Sequence, residues 1–269
     1  MTETPEPRQQ RPRICPWDDP LLARLPGLRP IALEDWLLRD EAFAAQMAMR
    51  DACFHNTPDA FAEIDGSLAA QSELLALVRV RVASDPGYAI AAGIVTRPDE
   101  VAVDIAGGRP LLAAARLVQE DLLLLDIDER GRPVLVAGAL AFPASWSLHE
   151  KIGRPLSGIH KPVARISPEM DTRLDRLLQR LPPGAPVERC NALLYNDPAP
   201  RQPRREGEQK PFDPEAPVYV RIERQCLMRL PESGAIVFSI HTSVTPRTAM
   251  PEEDQRALQD YMKYIRGPA

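Results

Sequence analysis

The chain of 269 residues lacks the features that mark several large classes of protein. Aromatic residues make up only 5% of it, so aliphatic side chains must build the core. No apolar run approaches the 18 or so residues that a membrane helix needs, and the run Leu122 to Leu125 is far too short. The polar segment Met1 to Arg13 contains no apolar core, so we expect neither a signal peptide nor a membrane partner.

Cysteine pairs and the common catalytic motifs are also missing. The four cysteines lie far apart and form no C-x-x-C unit: Cys15, Cys53, Cys190 and Cys226. This spacing excludes a zinc ribbon, a thioredoxin motif and covalent c-type heme attachment, and it favours a reduced, cytoplasmic setting. G-x-S-x-G, H-E-x-x-H, Walker and G-x-G-x-x-G motifs do not occur. The net charge of -5 argues against nucleic acid as the main partner.

Proline, by contrast, is about twice as frequent as usual, with 29 residues. The prolines cluster in the first 20 residues and between Pro198 and Pro217. We therefore predict an irregular arm over residues 1–30. A single domain follows over residues 31–269, with helices at its start, a loop insert at about 196–216 and a helix at its end.

Hydrophobic spacing predicts helices first and strands afterwards. Helical spacing is found in 31–54, in 58–85 with a break near Gly66, in 110–120, in 146–152 with Ser145 as its cap, in 168–180 and in 251–265. Strands are predicted over 122–127, 134–141, 187–195, 218–230 and 236–244. Antiparallel strands with helices segregated around them indicate an α+β fold.

One arginine interrupts an apolar strand face. Read with a period of two, the strand 218–230 carries Val220, Ile222, Cys226 and Met228 on one face, and Arg224 lies among them. A guanidinium on a buried face is either paired or facing a ligand. A three-residue loop, Glu232 to Gly234, would pair Leu230 with Ile236. That register sets Arg224 opposite Thr242 and sends Glu223 and His241 to the other face.

Four histidines are present, and three have ordinary surroundings. His55 and His149 fit helix surfaces, and His241 lies one residue off an apolar strand face. His160 follows Ile159 and precedes Lys161-Pro162-Val163, in a stretch with two glycines and two prolines. The pattern alone favours a core or loop histidine there. An imidazole in an apolar wall would also suit heme iron.

Four sequence segments, which occur in a fixed order along the chain, add a resemblance to these observations. They are VQEDLLLL at 118–125, FPASWSLHEKIGRPL at 142–156, IHKPV at 159–163 and RIERQCLMRLP at 221–231. Together they resemble the family of heme-dependent oxidative N-demethylase alpha subunits over about residues 25–250. The chain departs from the family pattern at Ala164, where a proline is usual, and at Ala192, where a tryptophan is usual.

The resemblance implies a PAS-like antiparallel sheet flanked by helices, which binds heme b non-covalently. The implied activity is O2-dependent demethylation of a small N-methyl amine. Electrons come from NADPH through partner reductase subunits that carry FMN and a 2Fe-2S cluster, and a tetrahydrofolate-binding partner takes up the formaldehyde. Two alternatives remain open: a non-enzymatic heme-binding PAS sensor of gas or redox state, and a relative that has lost heme.

The resemblance also implies roles for particular residues. His160 is the expected iron ligand. Arg224 and Glu223 are the expected catalytic residues, with Arg224 polarising oxygen and Glu223 holding the cationic amine. The heme pocket is expected to include Ile159, Pro162, Val163, Arg224 and Thr242.

Overall fold

The computed structural model describes residues 7–24, 27–156 and 168–266. At its centre, strands that are distant in the sequence lie side by side in one sheet. The α-helices are α1 (Phe43–Asn56), α2 (Leu68–Ala83), α3 (Pro110–Ala115), α4 (Pro168–Gln179) and α5 (Glu252–Arg266). The strands are β1 (Arg29–Pro30), β2 (Phe61–Glu63), β3 (Ala89–Ala91), β4 (Ile94–Thr96), β5 (Ala102–Asp104), β6 (Asp121–Ile127), β7 (Pro133–Ala139), β8 (Val187–Tyr195), β9 (Tyr219–Arg229) and β10 (Ile236–Pro246).

The main sheet has seven strands in the order β1-β8-β9-β10-β6-β7-β2, and each neighbouring pair is antiparallel. Strands β3, β4 and β5 form a second, smaller antiparallel sheet. Helices pack around the sheets instead of alternating with parallel strands, which confirms the α+β fold. In the part of the chain that the structure describes, no helix is long and apolar enough to cross a membrane.

The turn between β6 and β7 shows why the sequence predicts this hairpin. The Asp128 carboxylate accepts hydrogen bonds from the backbone N–H groups of Arg130 (3.0 Å) and Arg132 (2.8 Å). Gly131 has φ +75°, a conformation that glycine adopts without strain. Local turn chemistry therefore favours the hairpin, in which β6 and β7 pair along their length.

The predicted register of the β9–β10 hairpin is wrong by one residue. Arg229 pairs with Ile236, and the N–H of Leu230 donates to the carbonyl of Ala235 (2.8 Å), so the loop has four residues instead of three. Arg224 consequently pairs with His241, and Glu223 pairs with Thr242. Directly paired residues share a face of the sheet, so His241 lies with Arg224 and not with Glu223.

Two predicted helices in the first 85 residues are shorter than expected. One turn of 3-10 helix, Leu33–Asp35, precedes α1 inside the span predicted as 31–54. The span 58–85 holds β2 before α2, and the chain breaks near Gly66 as predicted, at φ +90°. Strand β2 forms because its backbone extends the main sheet beside β7, a non-local contact that helical spacing cannot reveal.

The predicted helix 146–152 is absent, and the chain makes a series of turns there. Ser145 has φ +64°, so it cannot act as a helix cap of the expected kind. Its N–H donates instead to the carbonyl of Gln202 (2.7 Å), and its hydroxyl bonds that of Tyr195 (2.9 Å). Contacts with the distant loop thus replace the local helix.

The main sheet buries two different faces. On the Arg224 face, Trp36, α2 and α3 cover one apolar cluster, and α5 covers a second. On the Glu223 face, Leu148 and helix α4 with its following turn cover a leucine-rich cluster that includes Leu123, Leu227 and Ile240. Gly138 permits this packing, because a Cβ there would lie 2.7 Å from a methyl of Leu148 and 2.8 Å from one of Leu123.

The arm over residues 7–24 has turns but neither helix nor strand, and it is tied to the last elements of the chain. The N–H of Gln9 donates to the carbonyl of Val244 (3.2 Å) in β10, and its side chain accepts from the N–H of Val244 (2.9 Å). Asp254 of α5 pairs with Arg11 (3.0 Å) and accepts from the indole of Trp17 (3.1 Å). The arm therefore fixes α5 against the sheet.

Candidate functional site

A buried polar cluster occupies one end of the Glu223 face. Glu223 in β9 is paired with Asn191 of β8 and Thr242 of β10, so the sheet register itself assembles these side chains. The Glu223 carboxylate accepts from Arg221 Nε (3.0 Å), from Gln225 Nε2 (3.0 Å) and, at a longer distance, from Asn191 Nδ2 (3.4 Å). The result is a carboxylate with 5% exposure that is held in one orientation by neighbours on its own face.

Arg221 links this carboxylate to two distant loops. Its Nη1 donates to the carbonyl of Pro200, and its Nη2 donates to the carbonyl of Phe142 (2.5 Å) and to Thr242 Oγ1 (3.1 Å). Pro200 belongs to the insert, which runs from Asn196 to Pro217 without helix or strand. The Asn196 side chain closes the base of this insert by donating to the carbonyl of Pro217 (3.0 Å).

A second buried ion pair holds the other side of Phe142. Asp121 accepts from the backbone N–H groups of Ala141 (2.7 Å) and Phe142 (3.1 Å) and pairs with Arg50 (2.7 Å). The Arg50 guanidinium lies over the rings of Phe54 and Phe142, at 5.4 and 5.5 Å from their centroids. The start of the segment that leads to His160 is therefore fixed from both sides.

Beyond the polar cluster, the Glu223 face is apolar. Leu227, Phe238 and Ile240 continue it along β9 and β10, and Leu123 continues it onto β6. Leu156, the last described residue before His160, packs against this cluster. Leu174, which follows His160 in α4, packs against it too. Described residues before and after the interval that contains His160 thus pack over the face that carries Glu223.

His160, Ile159, Pro162 and Val163 lie outside the described residues. The three described histidines do not suit heme iron: His55 is exposed, His149 is half exposed, and His241 is engaged at both ring nitrogens. Over the described ranges, no group of three His, Cys, Asp or Glu side chains is placed to hold a metal ion.

Arg224 lies on the face opposite Glu223. Its Nε donates to Glu188 (2.5 Å), its Nη1 to the carbonyl of Trp36 (2.8 Å) and its Nη2 to the carbonyl of Asp35 (2.6 Å). From the sequence, a buried guanidinium must be either paired or facing a ligand, and the structure shows that Arg224 is paired. Arg224 joins the segment before α1 to the centre of the sheet.

We expect Arg224→Ala to lower the free energy of unfolding by about 3 kcal/mol, because it removes one of the two arginines that pair with the buried Glu188 carboxylate and the guanidinium donors to the carbonyls of Asp35 and Trp36. Urea unfolding at pH 7 measures this loss. The matched control is Arg39→Ala, which breaks a surface pair with Asp85 and should cost less than about 1 kcal/mol. Equal stability of the two variants would contradict the assignment.

Another buried cluster on the Arg224 face was not evident from the sequence. His241 Nε2 lies 3.0 Å from Asp40 Oδ2, and its Nδ1 lies 3.2 Å from Glu120 Oε1. Burial alone lowers the pKa of His241, but the two carboxylates override it and raise that pKa to about 9. Burial raises the pKa of Asp40, but hydrogen bonds and the charge of His241 outweigh this and lower it to about 2. The charged partner His241 lies 201 residues away from Asp40 in the sequence, so local spacing does not reveal this cluster.

The comparison with known protein families adds a match to the family described as "Haem-dependent oxidative N-demethylase, alpha subunit-like". The match extends over residues 27–267. It therefore includes the polar cluster, the apolar part of the Glu223 face and the interval that contains His160. It also confirms the resemblance that the four sequence segments carry. Because nearly the whole chain is matched, the protein belongs to this family.

Proposed function

We propose that the protein is a heme-dependent oxidative N-demethylase that uses O2 on a small N-methyl amine in the cytoplasm. The observation that carries this proposal is the fixed, buried carboxylate of Glu223 at the end of an apolar sheet face. A cationic amine needs such an anion, and a macrocycle needs such an apolar wall. Partner subunits would supply electrons from NADPH through FMN and a 2Fe-2S cluster, with tetrahydrofolate as the acceptor of the formaldehyde unit.

We propose that the protein holds non-covalent heme b with His160 as the iron ligand. His160 follows Leu156 by four residues in the sequence, and Leu156 packs against the leucine-rich cluster. Ile159, Pro162 and Val163 would extend the apolar wall around the imidazole, and Thr242 lies on the same face of the sheet as Glu223. Heme, when bound, supplies the oxidative chemistry, and the protein supplies orientation and charge.

Glu223 is proposed to bind and orient the ammonium group of the substrate. Its carboxylate is nearly removed from water, so its attraction for a cation is stronger than at the surface. The surrounding apolar residues exclude water from the methyl groups of the amine. For Arg224 we propose a role in the fold in place of the expected contact with oxygen, because its hydrogen bonds lie on the other side of the sheet.

The antiparallel sheet, with helix α4 and the turns around Leu148 over its Glu223 face, supports the PAS-like arrangement that the family resemblance implies. A PAS-like domain that only senses a gas or redox state needs no anion beside its ligand. Glu223 therefore favours the enzyme over the sensor.

The test begins with the absorption spectrum of the protein after heme addition. We expect a Soret band, followed by amine-dependent O2 uptake and formaldehyde release when a competent reductase and NADPH are present. Glu223→Gln should retain the Soret band while KM for the amine rises about tenfold or more, since a charge-assisted contact of about 1.5–3 kcal/mol is lost. A Soret band without turnover on any methylamine would favour the sensor, and a colourless protein would refute both.

A further inference from the structure

We propose that Arg221 is a positioning residue, which holds the Glu223 carboxylate in place and couples it to two loops of the site. This inference rests on the proposed function, because it concerns the same carboxylate. The resemblance gives no role to Arg221. The arginine that it implies, Arg224, lies on the sheet face opposite Glu223.

The guanidinium of Arg221 is 1% exposed, and each of its three nitrogens donates to the protein. Nε contacts Glu223 Oε1 (3.0 Å), Nη1 contacts the carbonyl of Pro200, and Nη2 contacts the carbonyl of Phe142 (2.5 Å) and Thr242 Oγ1 (3.1 Å). A buried guanidinium whose three nitrogens all donate to the protein acts on a ligand through the groups that it orients, not by direct contact.

The two oxygens of Glu223 are held unequally. Oε1 accepts from the cationic Arg221, whereas Oε2 accepts only from the neutral amides of Gln225 (3.0 Å) and Asn191 (3.4 Å). A carboxylate oxygen has about two acceptor sites, so the two amide donors fill Oε2, whereas Oε1 keeps one site beside its contact with Arg221. Arg221 thereby fixes the rotation of the carboxylate, and an ammonium N–H would meet the remaining site on Oε1.

The same guanidinium also joins three parts of the chain. Its own strand β9 carries Glu223, Phe142 begins the segment that leads to His160, and Pro200 lies in the insert. A shift of either loop therefore moves Arg221, and a shift of Arg221 rotates Glu223. Because neither a lysine nor a methionine can make this planar set of contacts, substitutions at this position should uncouple the carboxylate from the loops.

The test is calorimetric titration of dimethylammonium chloride into the heme-loaded protein. Arg221→Lys and Arg221→Met should weaken binding about tenfold or more, and Glu223→Gln should weaken it at least as much. If Arg221 acts through Glu223, adding Arg221→Lys or Arg221→Met to Glu223→Gln should cause no further loss. Calorimetry measures binding without turnover, so the result does not depend on a reductase.

The matched control is Arg97→Met, which removes an arginine that is equally buried and is paired with Asp51 and Asp99 away from the site. It should leave the affinity for dimethylammonium unchanged. Arg221→Lys keeps the positive charge, so it provides the binding test if Arg221→Met does not fold. Two results would overturn the proposed role of Arg221 and leave the proposed amine site intact. One is a loss of affinity in the double variants equal to the sum of the losses in the single variants. The other is unchanged affinity in both Arg221→Lys and Arg221→Met. Unchanged affinity in Glu223→Gln would overturn the proposed amine site as well.

Discussion

His160→Ala should abolish or strongly shift the Soret band of the heme-loaded protein, with heme affinity falling by at least about 100-fold. That figure is a lower bound, because removing groups that only orient metal ligands already costs 10–100-fold. The fall follows from losing the bond between the imidazole and iron, which the apolar Glu223 face cannot replace. Spectrophotometric heme titration measures it, and added imidazole should partly restore the spectrum.

The controls for this variant are His55→Ala and His149→Ala, two changes at exposed positions. Both should retain the wild-type spectrum and heme affinity, because neither side chain lies on the Glu223 face. A wild-type spectrum in the His160 variant would reject His160 as the ligand. Loss of heme in all three variants would show that the spectrum reports stability instead of ligation.

The second large effect concerns His241→Leu, which should lower the free energy of unfolding by about 3–5 kcal/mol at pH 7. The imidazolium of His241 lies between Asp40 and Glu120, whose exposures are 8% and 1%. Removing it leaves these two buried carboxylates without their shared cation. Urea unfolding gives the value, and a loss below about 1 kcal/mol would contradict the charged assignment.

The pH dependence of stability provides a separate check. The pKa of His241 rises from 6.5 to about 9 on folding, so its contribution is complete below pH 6.5 and disappears as the pH rises through 9. The pKa of Asp40 falls from 3.8 to about 2, so its contribution is complete above pH 3.8 and disappears as the pH falls through 2. We expect wild-type stability to decline between pH 6.5 and 9. His241→Leu should lack this decline, and the surface variant His149→Leu should keep it.

Local sequence patterns predicted strands β6 to β10, but neither the five short strands β1 to β5 nor the partners of the long ones. The turn signals around Asp128 and Gly131 predicted the first hairpin, and the period of two placed Arg224 on the same face as Val220, Ile222 and Cys226. The register of β9 against β10 was not accessible in this way. Both candidate registers place apolar residues opposite each other near the loop, so alternation could not distinguish them.

The distant partners of buried charges were equally inaccessible. The period of two places Arg221 and Glu223 on one face of β9, but Arg224 pairs with Glu188 of another strand, 36 residues away. The sequence shows that a buried Arg224 requires an explanation but not which carboxylate supplies it. In the sequence, His241 lies 201 residues from Asp40 and 121 residues from Glu120. Their cluster therefore depends wholly on tertiary structure.

The arm at residues 7–24 has a consequence for the order in which the chain folds during synthesis. Its anchors on β10 and α5 are far along the chain: Gln9 bonds Val244 across 235 residues, and Trp17 bonds Asp254 across 237. The arm can therefore dock only after β10 and α5 have been synthesised. Contacts that close so long a loop form slowly, so the arm stays exposed to chaperones and proteases until then.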